Sequence, residues 1–111
     1  MKNHPLKSIS PLDGRYFEKL IELTDYFSEH AIFKQRVFVE LMWLKALGSE
    51  KKINDLKISG SQINLINNII KSFNLKDSIE IKKIENKINH DVKAVEYWIK
   101  KNLKKNQSSR I

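Results

Sequence analysis

The stretch Ser28-Glu29-His30-Ala31-Ile32-Phe33-Lys34-Gln35-Arg36-Val37-Phe38-Val39-Glu40-Leu41-Met42-Trp43-Leu44-Lys45-Ala46-Leu47-Gly48 decides the fold. Phe33, Val37, Leu41 and Leu44 recur at i, i+4, i+8 and i+11, which places them on one face of a helix. Ser28 is a good N-cap and Gly48 a good stop, so the spacing predicts a long helix from 28 to about 47. Phe38, Val39, Met42 and Trp43 add apolar surface on the other faces. A helix apolar nearly all round is wanted by more than one neighbour, which in a chain this short points to missing partners.

On either side of this helix the same period continues. Phe17, Leu20 and Leu23 or Thr24 predict a helix over about 16–26. Residues 1–14 read as an extended arm and turn, broken by Pro5, Pro11 and Asp13-Gly14. After a polar connector over 51–60, Ile63, Ile66, Ile70 and Phe73 mark a third helix. Asp77 and Glu80 have the spacing of a cap and its return contact, opening a fourth helix with Ile81, Ile84 and Ile88 inward. The last helix is expected over 91–103, with Val92, Val95, Ile99 and Leu103 on one face. The tail over 106–111 carries no periodicity. The expectation is an all-α fold: about five helices after an extended N-terminal arm.

Bulk properties narrow the function. With 111 residues the chain suffices for one modest hydrophobic core, and its 41% hydrophobic and 31% charged content is that of a globular protein. Cysteine is absent, which excludes disulfides and thiolate chemistry. No stretch approaches the roughly 20 apolar residues that span a bilayer, and no signal-peptide pattern follows Met1, so a cytoplasmic location without membrane partners is expected. The net charge of +8 invites nucleic acid. Yet the lysines are scattered among carboxylates, and only Lys100-Lys101 and Lys104-Lys105 are dense. Lysine at a helix C-terminus is favoured by the helix dipole alone, by about 0.3–1 kcal/mol. No nucleic-acid partner is therefore expected.

Two short segments carry chemistry. In Ser10-Pro11-Leu12-Asp13-Gly14-Arg15-Tyr16, Gly14 is expected to take positive φ and turn the chain, so that Arg15 presents its planar fork to a phosphate or carboxylate. Tyr16 adds a hydroxyl or a stacking face. The plainer alternative pairs Arg15 with a surface carboxylate and packs Tyr16 as core. In Asn89-His90-Asp91, Asn89 or Asp91 is expected to cap the last helix, whose free N–H groups and dipole favour an anion. His90 would then donate a hydrogen bond or exchange a proton at that mouth; alternatively it is an exposed linker residue. His4, His30 and His90 lack metal-ligand spacing.

Taken together, Ser10-Pro11-Leu12-Asp13-Gly14-Arg15-Tyr16 and Asn89-His90-Asp91-Val92-Lys93-Ala94-Val95-Glu96-Tyr97 resemble the adenylosuccinate lyase family of the fumarase/aspartase superfamily. Phe27-Ser28-Glu29 and Arg36-Val37-Phe38-Val39-Glu40 with Trp43-Leu44 look similar too. The resemblance runs over essentially all 111 residues, as the N-terminal helical domain of that enzyme. It implies β-elimination of fumarate from adenylosuccinate to give AMP, and from SAICAR to give AICAR, without metal or organic cofactor. It also implies that Arg15 and Tyr16 bind the nucleotide part of the substrate, and that Asn89, His90 and Asp91 form a second substrate-binding segment. His90 falls on a histidine that positions substrate and assists proton transfer. The family is a homotetramer whose active sites draw on three subunits.

A loop resembling Gly-Ser-Ser-x-Met-Pro-x-Lys-x-Asn-Pro, which carries the family's serine base, does not occur in these residues. Nor do the second, general-acid histidine, the central helical bundle or the C-terminal domain. The expectation is a lyase fragment that is inactive alone. The alternatives are a basic helical binding module without catalysis, or another lyase of the superfamily acting on argininosuccinate or fumarate.

Overall fold

The computed structural model describes residues 4–53 and 56–105, except for the side chain of Lys105. Its α-helices are α1 (Thr24–Phe27), α2 (Glu29–Ser49), α3 (Gly60–Ser72), α4 (Leu75–Ile88) and α5 (Asp91–Lys105), and the described residues contain no strand. The expected all-α class is thus the observed one. The tail at 106–111 lies outside the described residues. The chain divides into two compact units, Met1–Ile32 and Phe33–Ile111.

The first unit departs most from its expected form. The arm holds a 3₁₀ turn at Pro5–Lys7, and the helix expected over 16–26 is two further 3₁₀ turns, Phe17–Lys19 and Ile21–Leu23, followed by the single turn of α1. The reason is burial. Phe17, Ile21, Leu23, Tyr26 and Phe27 all remain exposed, so no core rewards an amphipathic helix here. Local bonds take over: the Thr24 hydroxyl donates to the Ile21 carbonyl at 2.6 Å, and Ser28 Oγ donates to the Thr24 carbonyl. Ser28 also caps α2 as expected, accepting from Ala31 N–H at 3.1 Å.

The second unit holds the core. Phe33, Val37 and Leu41 of α2 are buried with Ile66 and Ile69 of α3, Phe73, Ile81 of α4, and Ala94, Val95, Trp98, Ile99 and Leu103 of α5. Each large aliphatic side chain so placed contributes about 1.5–3 kcal/mol of transfer free energy. The rings of Phe73 and Trp98 meet edge to face, 5.4 Å apart, and Trp98 Nε1 donates to Glu80 Oε2 at 2.9 Å. The expected α2 stripe is observed, with Leu44 half-buried. Phe38, Val39, Met42 and Trp43 stay exposed.

Several boundaries shift for identifiable reasons. Gly48 does not stop α2, which runs to Ser49, and no glycine has positive φ. A Cβ on Gly48 would lie 2.4 Å from Ile58 Cδ1, so the residue admits Ile58 against the helix. Helix α3 starts at a Ser59–Gln62 capping box. Helix α4 starts earlier than expected, because Asn74 is the cap and Asp77 makes the return contact, accepting from Asn74 N–H at 2.9 Å. That leaves Glu80 for Trp98. Ile63, Ile88 and Val92 are partly exposed, while Ile69, Ala94 and Trp98 take the inward positions.

Candidate functional site: two exposed polar corners

In the first unit, the 10–17 segment is a chain of tight turns. Asp13 N–H bonds the Ser10 carbonyl at 3.0 Å, Tyr16 N–H the Pro11 carbonyl at 3.0 Å, and Phe17 N–H the Gly14 carbonyl at 3.2 Å. Gly14 serves this corner through close approach and not through the positive φ expected of it. A Cβ there would lie 2.5 Å from the Pro5 carbonyl oxygen and 3.2 Å from Ser8 Oγ. The arm therefore folds back onto the glycine, and the Ser8 hydroxyl donates to the Asp13 carbonyl at 3.4 Å.

The result is an open cavity of about 470 Å³ lined by Pro5, Leu6, Ser8, Ser10, Pro11, Arg15 and Tyr16. Arg15 is exposed and, among the described residues, has no carboxylate within ion-pair distance. Tyr16 is 41% exposed. Neither the paired surface arginine nor the core tyrosine of the plainer alternative is found. A guanidinium fork without a partner, beside a phenol and two serines, suits an oxyanion.

In the second unit, Asn89 ends α4 in the left-handed conformation (φ 54°), donating its N–H to the Glu85 carbonyl at 2.7 Å. An asparagine accepts that conformation at low cost. The cap of α5 is His90, not Asn89 or Asp91: its Nδ1 accepts from Lys93 N–H at 3.1 Å and its carbonyl from Ala94 N–H at 3.1 Å. Because Nδ1 is the acceptor, the neutral ring carries its proton on Nε2. Asp91 Oδ1 accepts from Val92 N–H at 2.9 Å, so the first-turn donors of Val92 and Lys93 are already used. The Val92 and Lys93 N–H groups are thus closed to a ligand, while the helix dipole still acts at this end.

Asn89, His90 and Asp91 are exposed and line an open groove of about 430 Å³ with Glu85 and Asn86. Its two carboxylates are each matched by a cation. Arg36 Nη1 lies 3.0 Å from Asp91 Oδ2, and Lys82 Nζ lies 2.7 Å from Glu85 Oε2. The Val92 N–H bond acts most strongly on the Asp91 carboxyl; desolvation opposes it, the Arg36 hydrogen bond and charge add to it, and the group is held below its usual range. Arg36 was not legible as part of this corner, since nothing in the sequence announces a pairing between distant helices. Among the described residues no three His, Asp or Glu side chains gather into a metal-binding group, and no helix is long and apolar enough to cross a membrane.

These features define an all-α chain with two exposed polar corners, one built on an arginine and one on a histidine cap. No protein-family model matches the chain. It is 45% identical over 101 residues to the adenylosuccinate lyase of Buchnera aphidicola subsp. Baizongia pistaciae, covering 89% of this chain and 21% of that enzyme. It is 42% identical over 104 residues to the adenylosuccinate lyase of Haemophilus influenzae and 39% over 104 residues to that of Escherichia coli, covering 93% of this chain and 23% of each relative. The chain is thus related, as a segment, to the adenylosuccinate lyases, and it spans about a fifth of the length of the curated relatives it matches.

Proposed function

We propose that these residues form the N-terminal helical domain of an adenylosuccinate lyase, the part that grips substrate. The carrying observation is identity of 39–45% to such lyases over about nine-tenths of the chain, a span that includes an exposed arginine corner and a histidine-capped helix. The reaction breaks the C–N bond between the succinyl group and the purine or imidazole precursor. One proton leaves carbon beside a carboxylate, the carbon–carbon double bond of fumarate forms, and a proton goes to the departing nitrogen.

In this reading Arg15 and Tyr16 hold the nucleotide through its phosphate. Asn89, His90 and Asp91 hold a second part of the substrate, with His90 Nε2–H orienting it and assisting proton transfer. A charged hydrogen bond of this kind is worth about 1.5–3 kcal/mol. The serine base, the general-acid histidine, the central bundle and the C-terminal domain belong to other parts of a homotetramer that needs neither metal nor organic cofactor. The 111 residues alone give no turnover.

The test is a nuclear magnetic resonance titration of the chain with adenylosuccinate. Shift changes at Arg15, Tyr16 and residues 89–91 are the expected result, and fumarate does not accumulate. No response at either corner, or fumarate release by the chain alone, contradicts the reading.

A further inference from the structure

We infer that Arg36 is a positioning residue for His90, acting through Asp91. Arg36 leaves α2 next to Val37 and three residues after Phe33, both buried in the core, so its base is fixed. Its Nη1 reaches Asp91 Oδ2 at 3.0 Å, while Asp91 Oδ1 accepts from Val92 N–H at 2.9 Å. One carboxylate therefore ties α2 to the first turn of α5.

His90 sits immediately before that turn. It is held from behind by Asn89, whose left-handed backbone is bonded to Glu85, and from ahead by the Lys93 N–H on its Nδ1. The Lys93 bond survives only while the first turn stays wound, and helix ends fray readily. Arg36 opposes that fraying from outside the helix. When the turn opens, Nδ1 loses its donor and the ring loses both its fixed rotation and its preferred proton position.

The pair is partly exposed, at 35% and 51% of the two side chains, so its weight in global stability is small. Its effect is local and falls on the orientation of one imidazole. The meaning of that orientation for turnover rests on the lyase reading above; the positioning itself does not.

The experiment compares wild type, Arg36→Gln and Arg36→Lys as the 111-residue chain. It reads amide hydrogen exchange at Lys93 and the ¹⁵N shifts of the His90 ring. In Arg36→Gln, Lys93 exchange is expected to rise about two- to fivefold, the scale of one exposed ion pair. The Nδ1 resonance moves toward that of a freely solvated ring, and the amides of Ile99 and Leu103 keep their protection. Arg36→Lys, which keeps the charge, restores most of the wild-type behaviour. Unchanged Lys93 exchange and His90 shifts in folded Arg36→Gln overturn the inference. Should that variant not fold, Asp91→Asn removes the same pair from its more exposed end and is read the same way. An exchange effect in Arg36→Gln together with no response of the wild-type chain to adenylosuccinate counts against the lyase reading and leaves the role of Arg36 standing.

Discussion

His90 Nδ1 accepts the backbone N–H of Lys93 at 3.1 Å, so the side chain best suited to proton chemistry is also the cap of a helix. The two roles separate by substitution. His90→Ala removes the cap and is expected to lower stability by about 1 kcal/mol. Asparagine is a strong N-cap, so His90→Asn is expected to melt close to wild type while lacking an imidazole. Thermal melts of the three chains check this; equal loss in both variants contradicts the capping role.

Asp91 links stability to pH. Its carboxyl is held low in the folded state, first by the Val92 N–H and then by Arg36. A depressed carboxylate stabilises the fold above its unfolded-state pKa, and that contribution is lost as pH falls through the lower folded value. Wild type is therefore expected to exceed Asp91→Asn in melting temperature at neutral pH, with the gap closing in strong acid. A gap independent of pH contradicts the assignment.

Two glycines in the second unit predict opposite outcomes. A Cβ at Gly48 collides with Ile58, including its Cγ1 at 2.5 Å, so Gly48→Ala is expected to cost about 1–3 kcal/mol. Gly60 has nothing within 4 Å of that position and no positive φ, so Gly60→Ala is expected to stabilise by about 0.4–1 kcal/mol. Denaturant midpoints of the two variants decide.

Along α2, burial separates neighbours. Leu41 is fully buried and Leu41→Ala is expected to cost about 2–5 kcal/mol. Trp43 is 61% exposed, and Trp43→Ser is expected to change stability by less than about 0.5 kcal/mol. Comparable losses in both would mean that α2 faces its core differently.

Much of the fold was legible because helical period and burial agree from α2 onward. Phe33, Val37 and Leu41 fall on one face in sequence and on one core in space. The failures have local causes. Phe17, Leu20 and Leu23 have helical spacing, but an apolar stripe makes a helix only where something buries it, and Phe17 and Leu23 stay exposed. Gly48 has the composition of a helix stop, yet its use is room for Ile58, a contact that spacing along the chain does not encode. Asp77 has the spacing of a cap because Glu80 follows at the right interval; Asn74 has the same relation to Asp77, and Glu80 is taken by Trp98. At the two corners, Arg15 and His90 stood out by residue type, whereas the Arg36–Asp91 tie needed the fold.

The proposed substrate-binding roles of Arg15 and His90 are tested most directly in the Escherichia coli adenylosuccinate lyase, with its matching segment replaced by this chain. In that chimera Arg15→Ala is expected to raise KM about tenfold to a hundredfold, the loss of one charged hydrogen bond. His90→Ala is expected to lower kcat by about a hundredfold or more. Fumarate release that is the same in the parent chimera and in both variants would contradict the account.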